Sequence, residues 1–219
     1  MIATDPPATI DLAAVLHGSE TLTQALADAL GQLAFDPPSP AARVSAVLCG
    51  LAADHATAVR VLVASGLGSS AVAMLRVQYE SLVRAVWAAY AAEPDHLARL
   101  SGELSAENER TAGRLPNAAA MLKQLEDSGP ATLVRLLAEF RDNSWSALNS
   151  YVHGGLHAFK RTSEGMPLPI ASQLVRQSNG LLMMTAMLLA SLAEDPDLMV
   201  HIAGLHVRFK DCLPLRTGD

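Results

Sequence analysis

Apolar residues recur at helical spacing along most of the chain, and prolines and glycines cut the pattern into helix-length pieces. The first piece starts near Asp11, which can cap LAAVLHGSETLTQALADALGQLAF, and stops before Pro37-Pro38; Gly18 is a point where its early turns can break. Ser39 can cap a second helix, with Pro40 at its first position, that runs to Gly66. The turn GLGSS then opens a third helix, SSAVAMLRVQYESLVRAVWAAYAAE, which ends at Pro94. From Asp95 to Gly129 the chain is more polar and predicts one or two short helices crossing a bundle. Pro130 opens a long helix that stops at Gly154-Gly155. A loop with Pro167 and Pro169 leads into IASQLVRQSNGLLMMTAMLLASLAE, and Pro196 starts a last helix, DLMVHIAGLHVRFKDCL.

No segment alternates at strand period. The pattern predicts an all-α fold, an antiparallel bundle of about five long helices plus one or two short crossing helices. A single domain is expected over 11–213, between an N-terminal tail, 1–10, and a C-terminal tail, 214–219.

Composition supports this. Half of the 219 residues are hydrophobic and 17% are charged, so the chain can bury a core. Aromatics are only 4%, which leaves Ala, Leu, Val and Met as the apolar mass, and three of these four are strong helix formers. A net charge of −6 argues against a protein that coats nucleic acid through bulk charge, but allows a local basic pocket. Cys49 and Cys212 form no zinc or redox motif, and with no signal peptide visible a cytoplasmic location is expected. The longest apolar run, Leu181 to Ala193, falls short of the roughly 20 residues of a membrane span. It is expected to be a core helix, and no membrane partner is expected.

On the third helix Arg76, Glu80 and Arg84 follow one another at i, i+4 along one edge, beside the apolar Val83 and Trp87. Gln78, Ser81, Ala85 and Ala89 lie across the helix and suit solvent. On the helix after Pro130, Asn149 and His153 border an apolar stripe of Val134, Leu137, Trp145, Leu148, Val152 and Leu156. Two readings stand side by side. In the first, His153 is a general acid–base, Arg76 and Arg84 hold an anion, and Glu80 and Asn149 orient their partners; the ligand is RNA or another phosphate-containing molecule. In the second, the same residues form a structural network that fixes helix register in a non-catalytic interaction module.

His157 stands four residues after His153, but the glycines between them end the helix, so the pair is not a ligand set. Adding His55 would make a three-histidine metal site, which is the weaker alternative; no metal or cofactor is expected. The chain has no GxSxG, no Walker A loop, no GxGxxG and no HExxH.

The segments MLRVQYESLVRAVW and LNSYVHGG resemble a group of uncharacterised bacterial all-helical proteins related to the HEPN superfamily. The matching positions are Arg76, Glu80, Asn149 and His153. The resemblance implies an antiparallel helical bundle, a homodimer, and kinship with metal-independent ribonucleases of toxin and phage-defence systems. Catalytic HEPN proteins carry an arginine shortly before the histidine; here the corresponding positions are Ser146, Ala147 and Leu148.

Overall fold

The structure, a computed structural model, describes residues 11–31, 38–112 and 115–214. The described residues are all-α, but they form ten α-helices, which corrects the expected count of about five long and one or two short ones. In chain order they are α1 (Leu12–Gly31), α2 (Pro40–Ala64), α3 (Gly68–Tyr90), α4 (Pro94–Ser101), α5 (Ala106–Ala112), α6 (Ala118–Ser128), α7 (Ala131–Val152), α8 (Leu156–Glu164), α9 (Leu168–Leu192) and α10 (Pro196–Arg208). A 3-10 turn, Lys210–Cys212, follows.

Several boundaries are set by caps that are legible in the chain. Asp11 accepts from the Ala14 amide at 3.0 Å, Ser39 from Ala42 at 3.1 Å, and Asp195 from Leu198 at 2.9 Å. Breaks near Gly66, Pro94, Gly129 and Gly154 match the expectation, whereas the break near Pro37 falls outside the described residues. The extra helices have local causes. Pro94 starts α4, the Ser105 hydroxyl accepts from the Asn108 amide at the start of α5, and Asn117 caps α6 through the Ala120 amide. Segment 95–129 therefore holds most of three short helices. The stretch read as a loop after Gly154 forms α8, with Gly155 as its N-cap.

The core centres on α3, which packs most extensively on α2 and also meets α6, α7 and α9. This overturns one reading of its faces: Gln78, Ser81 and Ala85 are buried rather than solvated. Small residues let α2 and α3 approach closely, so the Ser45 hydroxyl of α2 donates to the Ala85 carbonyl at 2.8 Å. Across α3, the Gln78 amide donates to the Ser178 carbonyl of α9 at 2.9 Å and accepts from the Ser178 hydroxyl at 2.7 Å. Because α3 is wrapped, its solvent edge is the one carrying Glu80 and Arg84, which are half-buried.

Leu181 to Leu192 lies in α9, with Ala193 as its C-cap, and Leu181, Leu182, Met183, Ala186, Leu188 and Ala190 are buried. Among the described residues one helix is long and apolar enough to cross a bilayer, and it is α2: 25 residues, with mean hydropathy 1.5 in its most apolar window. Arg43, Asp54, His55 and Arg60 interrupt its apolar run, so a search for unbroken stretches passes it over.

The C-terminal segment is fastened by groups the sequence reading did not connect. Gly18 does not break α1; a Cβ there would meet the Cys212 Cβ at 3.1 Å, so the glycine admits the 3-10 turn. Gly180 likewise admits Pro214. Between them the Ser19 hydroxyl donates to Asn179 Oδ1 at 2.6 Å, and Asn179 Nδ2 donates to the Cys212 carbonyl at 2.8 Å. Removing Asn179 strands a buried hydroxyl and a buried carbonyl. Asn179→Ala is expected to cost about 2–4 kcal/mol, seen as a melting temperature about 5–15 °C lower in calorimetry. A shift within about 1 °C of the unchanged protein would remove this network from the account of stability.

Candidate functional site

Arg76 and Glu80 form the pair that their i, i+4 spacing predicts: Nε donates to Oε1 at 2.9 Å, with side chains 17% and 29% exposed. The pair meets α7 through an aromatic group. The Arg76 guanidinium lies 4.7 Å from the centre of the Trp145 ring. Next to it, Tyr79 stacks on Phe140 at 4.9 Å, sets its edge toward Trp145 at 6.2 Å, and donates its hydroxyl to the Leu137 carbonyl at 3.1 Å. Aromatics are scarce in this chain, and three of them meet at one helix crossing. That scarcity was the available signal for the cluster, and the wheel of α7 had marked only Trp145.

These contacts fix the register as antiparallel, since stepping back from Tyr79 to Arg76 corresponds to stepping forward from Phe140 to Trp145. Asn149 and His153 then lie roughly 6 and 12 Å beyond Trp145, toward the first turn of α3. Glu80 lies roughly 6 Å from Arg76 in the other direction. The structure thus joins Arg76 with Glu80 and adds Trp145. No hydrogen bond links that pair to Asn149 or His153 among the described residues.

His153 is the C-cap of α7 and is exposed; its amide donates to the Asn149 carbonyl at 3.1 Å. Gly154 takes φ +65°, a left-handed conformation that glycine adopts without strain, and ends the helix there. His157 belongs to α8, where its amide donates to the Ser150 hydroxyl at 3.0 Å and its ring stacks on Tyr151 at 6.1 Å. Among the described residues no three His, Cys, Asp or Glu side chains converge on a metal-sized site.

Arg84 stands two turns beyond Arg76 on the same edge of α3. Arg84 Nε and Arg76 Nη1 are both buried with no hydrogen-bond partner in the protein. Two unspent guanidinium donors on one edge are the feature here that an anion would satisfy.

The cysteines do not supply a nucleophile at neutral pH. Burial pushes the Cys49 thiol from its ordinary value near 9 up to about 12, with a hydrogen bond to Ser45 opposing it, and burial also raises Cys212. Burial similarly pushes the Tyr79 hydroxyl up to about 12. For an acid whose pKa is raised by folding, the unfolded chain loses its proton first. The stabilisation is therefore whole below about pH 9 and is lost as pH climbs toward about 12. Melting temperature is expected to fall across that interval, and to fall less steeply in Cys49→Ala; parallel slopes would show that Cys49 titrates freely in the fold.

The Arg76–Glu80 pair is part-buried, so Glu80→Ala should cost about 1–2 kcal/mol, read as melting about 2–8 °C lower. His153→Ala should change stability by less than about 0.5 kcal/mol. The double variant should show additive losses, because residues more than about 10 Å apart with no shared partner rarely couple. A coupling energy above about 1 kcal/mol would join the two ends into one site after all.

No curated protein and no solved structure matches the chain significantly. A family profile does, over residues 49–215, a span that holds α3 to α10 and all five predicted site residues. The chain belongs to a family of unknown function, DUF6988.

Proposed function

We propose that this protein is a non-catalytic helical interaction module, in which the charged residues of α3 hold helices together. The observation that carries this reading is how Arg76 is used. Its Nε is committed to Glu80 and its guanidinium face to Trp145 of α7, which is a helix–helix contact made within the chain. The residue suited to proton transfer, His153, stands exposed at a helix end, where no carboxylate or arginine is hydrogen-bonded to it among the described residues.

A second reading keeps the HEPN-like site as an anion-binding one, and a specific observation favours it: the unpartnered buried nitrogens of Arg76 and Arg84. In this reading the two arginines hold phosphates of RNA or of a smaller ligand, with Asn149 and His153 acting further along the same helix pair. The motif segments MLRVQYESLVRAVW and LNSYVHGG supply its remaining support.

The two part on one experiment with the full chain. Inorganic phosphate and a single-stranded RNA are each titrated against thermal melting, and RNA cleavage is followed in parallel. The interaction module is expected to show no specific melting shift and no cleavage. A stabilisation by about 3 kcal/mol at saturating ligand, lost in Arg84→Ala while the unliganded melting is kept, would replace it with the anion-binding reading. Cleavage lost in His153→Ala would replace it with the catalytic one.

A further inference from the structure

The outward side of α2 carries a stripe at alternating spacings of four and three residues: Arg43, Val47, Gly50, Asp54, Thr57 and Val61. This spacing keeps the six on one face of the helix. Every one of these residues is exposed, Val47 at 71% and Val61 at 54%, although α2 is the most membrane-like helix described. Among the described residues neither Arg43 nor Asp54 has an ion-pair partner. A Cβ built on Gly50 meets nothing within 4 Å.

The stripe is complementary to itself. Arg43 and Asp54 lie equally far on either side of the midpoint between Leu48 and Cys49, and so do Val47 and Gly50. Turned antiparallel about that midpoint, a second α2 sets its Asp54 opposite Arg43 and its Gly50 opposite Val47. By symmetry each contact occurs twice. The pairing overlaps Pro40 to Thr57, about 27 Å of helix. Sliding the partner by one heptad sets Arg43 against Val61 and Gly50 against Asp54, which loses both the charge match and the fit of a side chain to a glycine.

We infer that α2 is a self-association face, through which two copies of this chain pair antiparallel with Arg43 of each bound to Asp54 of the other. The inference deepens the reading as an interaction module by naming one partner. It uses a face of the molecule remote in sequence from Arg76 and Arg84, so its failure leaves the phosphate and RNA titrations to decide that reading separately.

The test is sedimentation velocity on the full chain from about 1 to about 300 µM, the range in which small interfaces dissociate. A concentration-dependent dimer is expected. Arg43→Asp and Asp54→Arg should each raise the dissociation constant at least about tenfold, by setting like charges against each other twice. The double variant Arg43→Asp/Asp54→Arg should return it toward the original. Gly50→Leu should also abolish the dimer while leaving or raising the melting temperature, since the added side chain enters open space in the single copy. A monomer throughout, a dimer indifferent to these changes, or single-variant losses that the double variant does not repair would each overturn the inference. So would co-sedimentation with phosphatidylcholine vesicles that is lost in Arg43→Asp and not restored by the swap, because a bilayer has no register to match.

Discussion

A primary amide enclosed by helices must find both a donor and an acceptor, and Gln78 finds them on one residue. Ser178 of α9 offers its carbonyl and its hydroxyl, and Gln78 uses both. Leaving either half unpaired would cost about 1–3 kcal/mol, so a slip of α9 against α3 is penalised at once. The neighbours of α3 are keyed in the same way. Ser45 ties α2 to the Ala85 carbonyl, the Tyr79 hydroxyl ties α3 to the Leu137 carbonyl of α7, and the Trp87 indole donates to Gln124 of α6 at 2.6 Å. Leu, Val and Ala supply the non-directional drive to bury α3, and these polar contacts choose the register in which it is buried.

What the sequence disclosed follows from which interactions are local. Caps act within four residues, so Asp11, Ser39 and the break at Gly154 were legible, and so was the all-α character of the described residues. The short helices were harder, because α4, α5 and α8 offer two or three turns each, too few for apolar periodicity to stand out from a polar loop. The misreading of Gln78, Ser81 and Ala85 has another cause. A helical wheel supposes one dry side and one wet side, whereas α3 has helices nearly all round, and its small and polar residues are where those helices come closest.

The candidate site divides along the same line. Arg76 with Glu80 is an i, i+4 pair and could be read directly. A wheel also shows that Trp145, Asn149 and His153 border one stripe of α7, but it carries no information about the axial position of α7 against α3. That position is set by Tyr79, Phe140 and the Leu137 carbonyl, contacts between residues far apart in sequence. The register brought Trp145 to Arg76, and a guanidinium over an indole is a contact that lysine would make poorly, because an ammonium lacks the flat face.

The outer surfaces show the opposite economy. Inside, Gln78, Tyr79 and Trp87 of α3 and Ser178 and Asn179 of α9 are committed to neighbouring elements. Outside, α2 keeps Arg43, Val47 and Asp54 uncommitted, and α8 keeps Leu156 and Phe159 exposed at 70% and 71% with no buried residue of its own. A nine-residue helix without a buried face has little intrinsic stability, and α8 is held by its start: the Ser150 hydroxyl accepts from His157, the Ser150 carbonyl accepts from Gly155 at 2.7 Å, and Tyr151 stacks on His157. A side chain on Gly155 would strike the Ser150 hydroxyl at 2.7 Å, so the glycine is needed for this return of the chain. LNSYVHGGLH thus forms a helix stop followed by a helix start. For His157 the turn accounts for both contacts, its amide on the Ser150 hydroxyl and its ring on Tyr151.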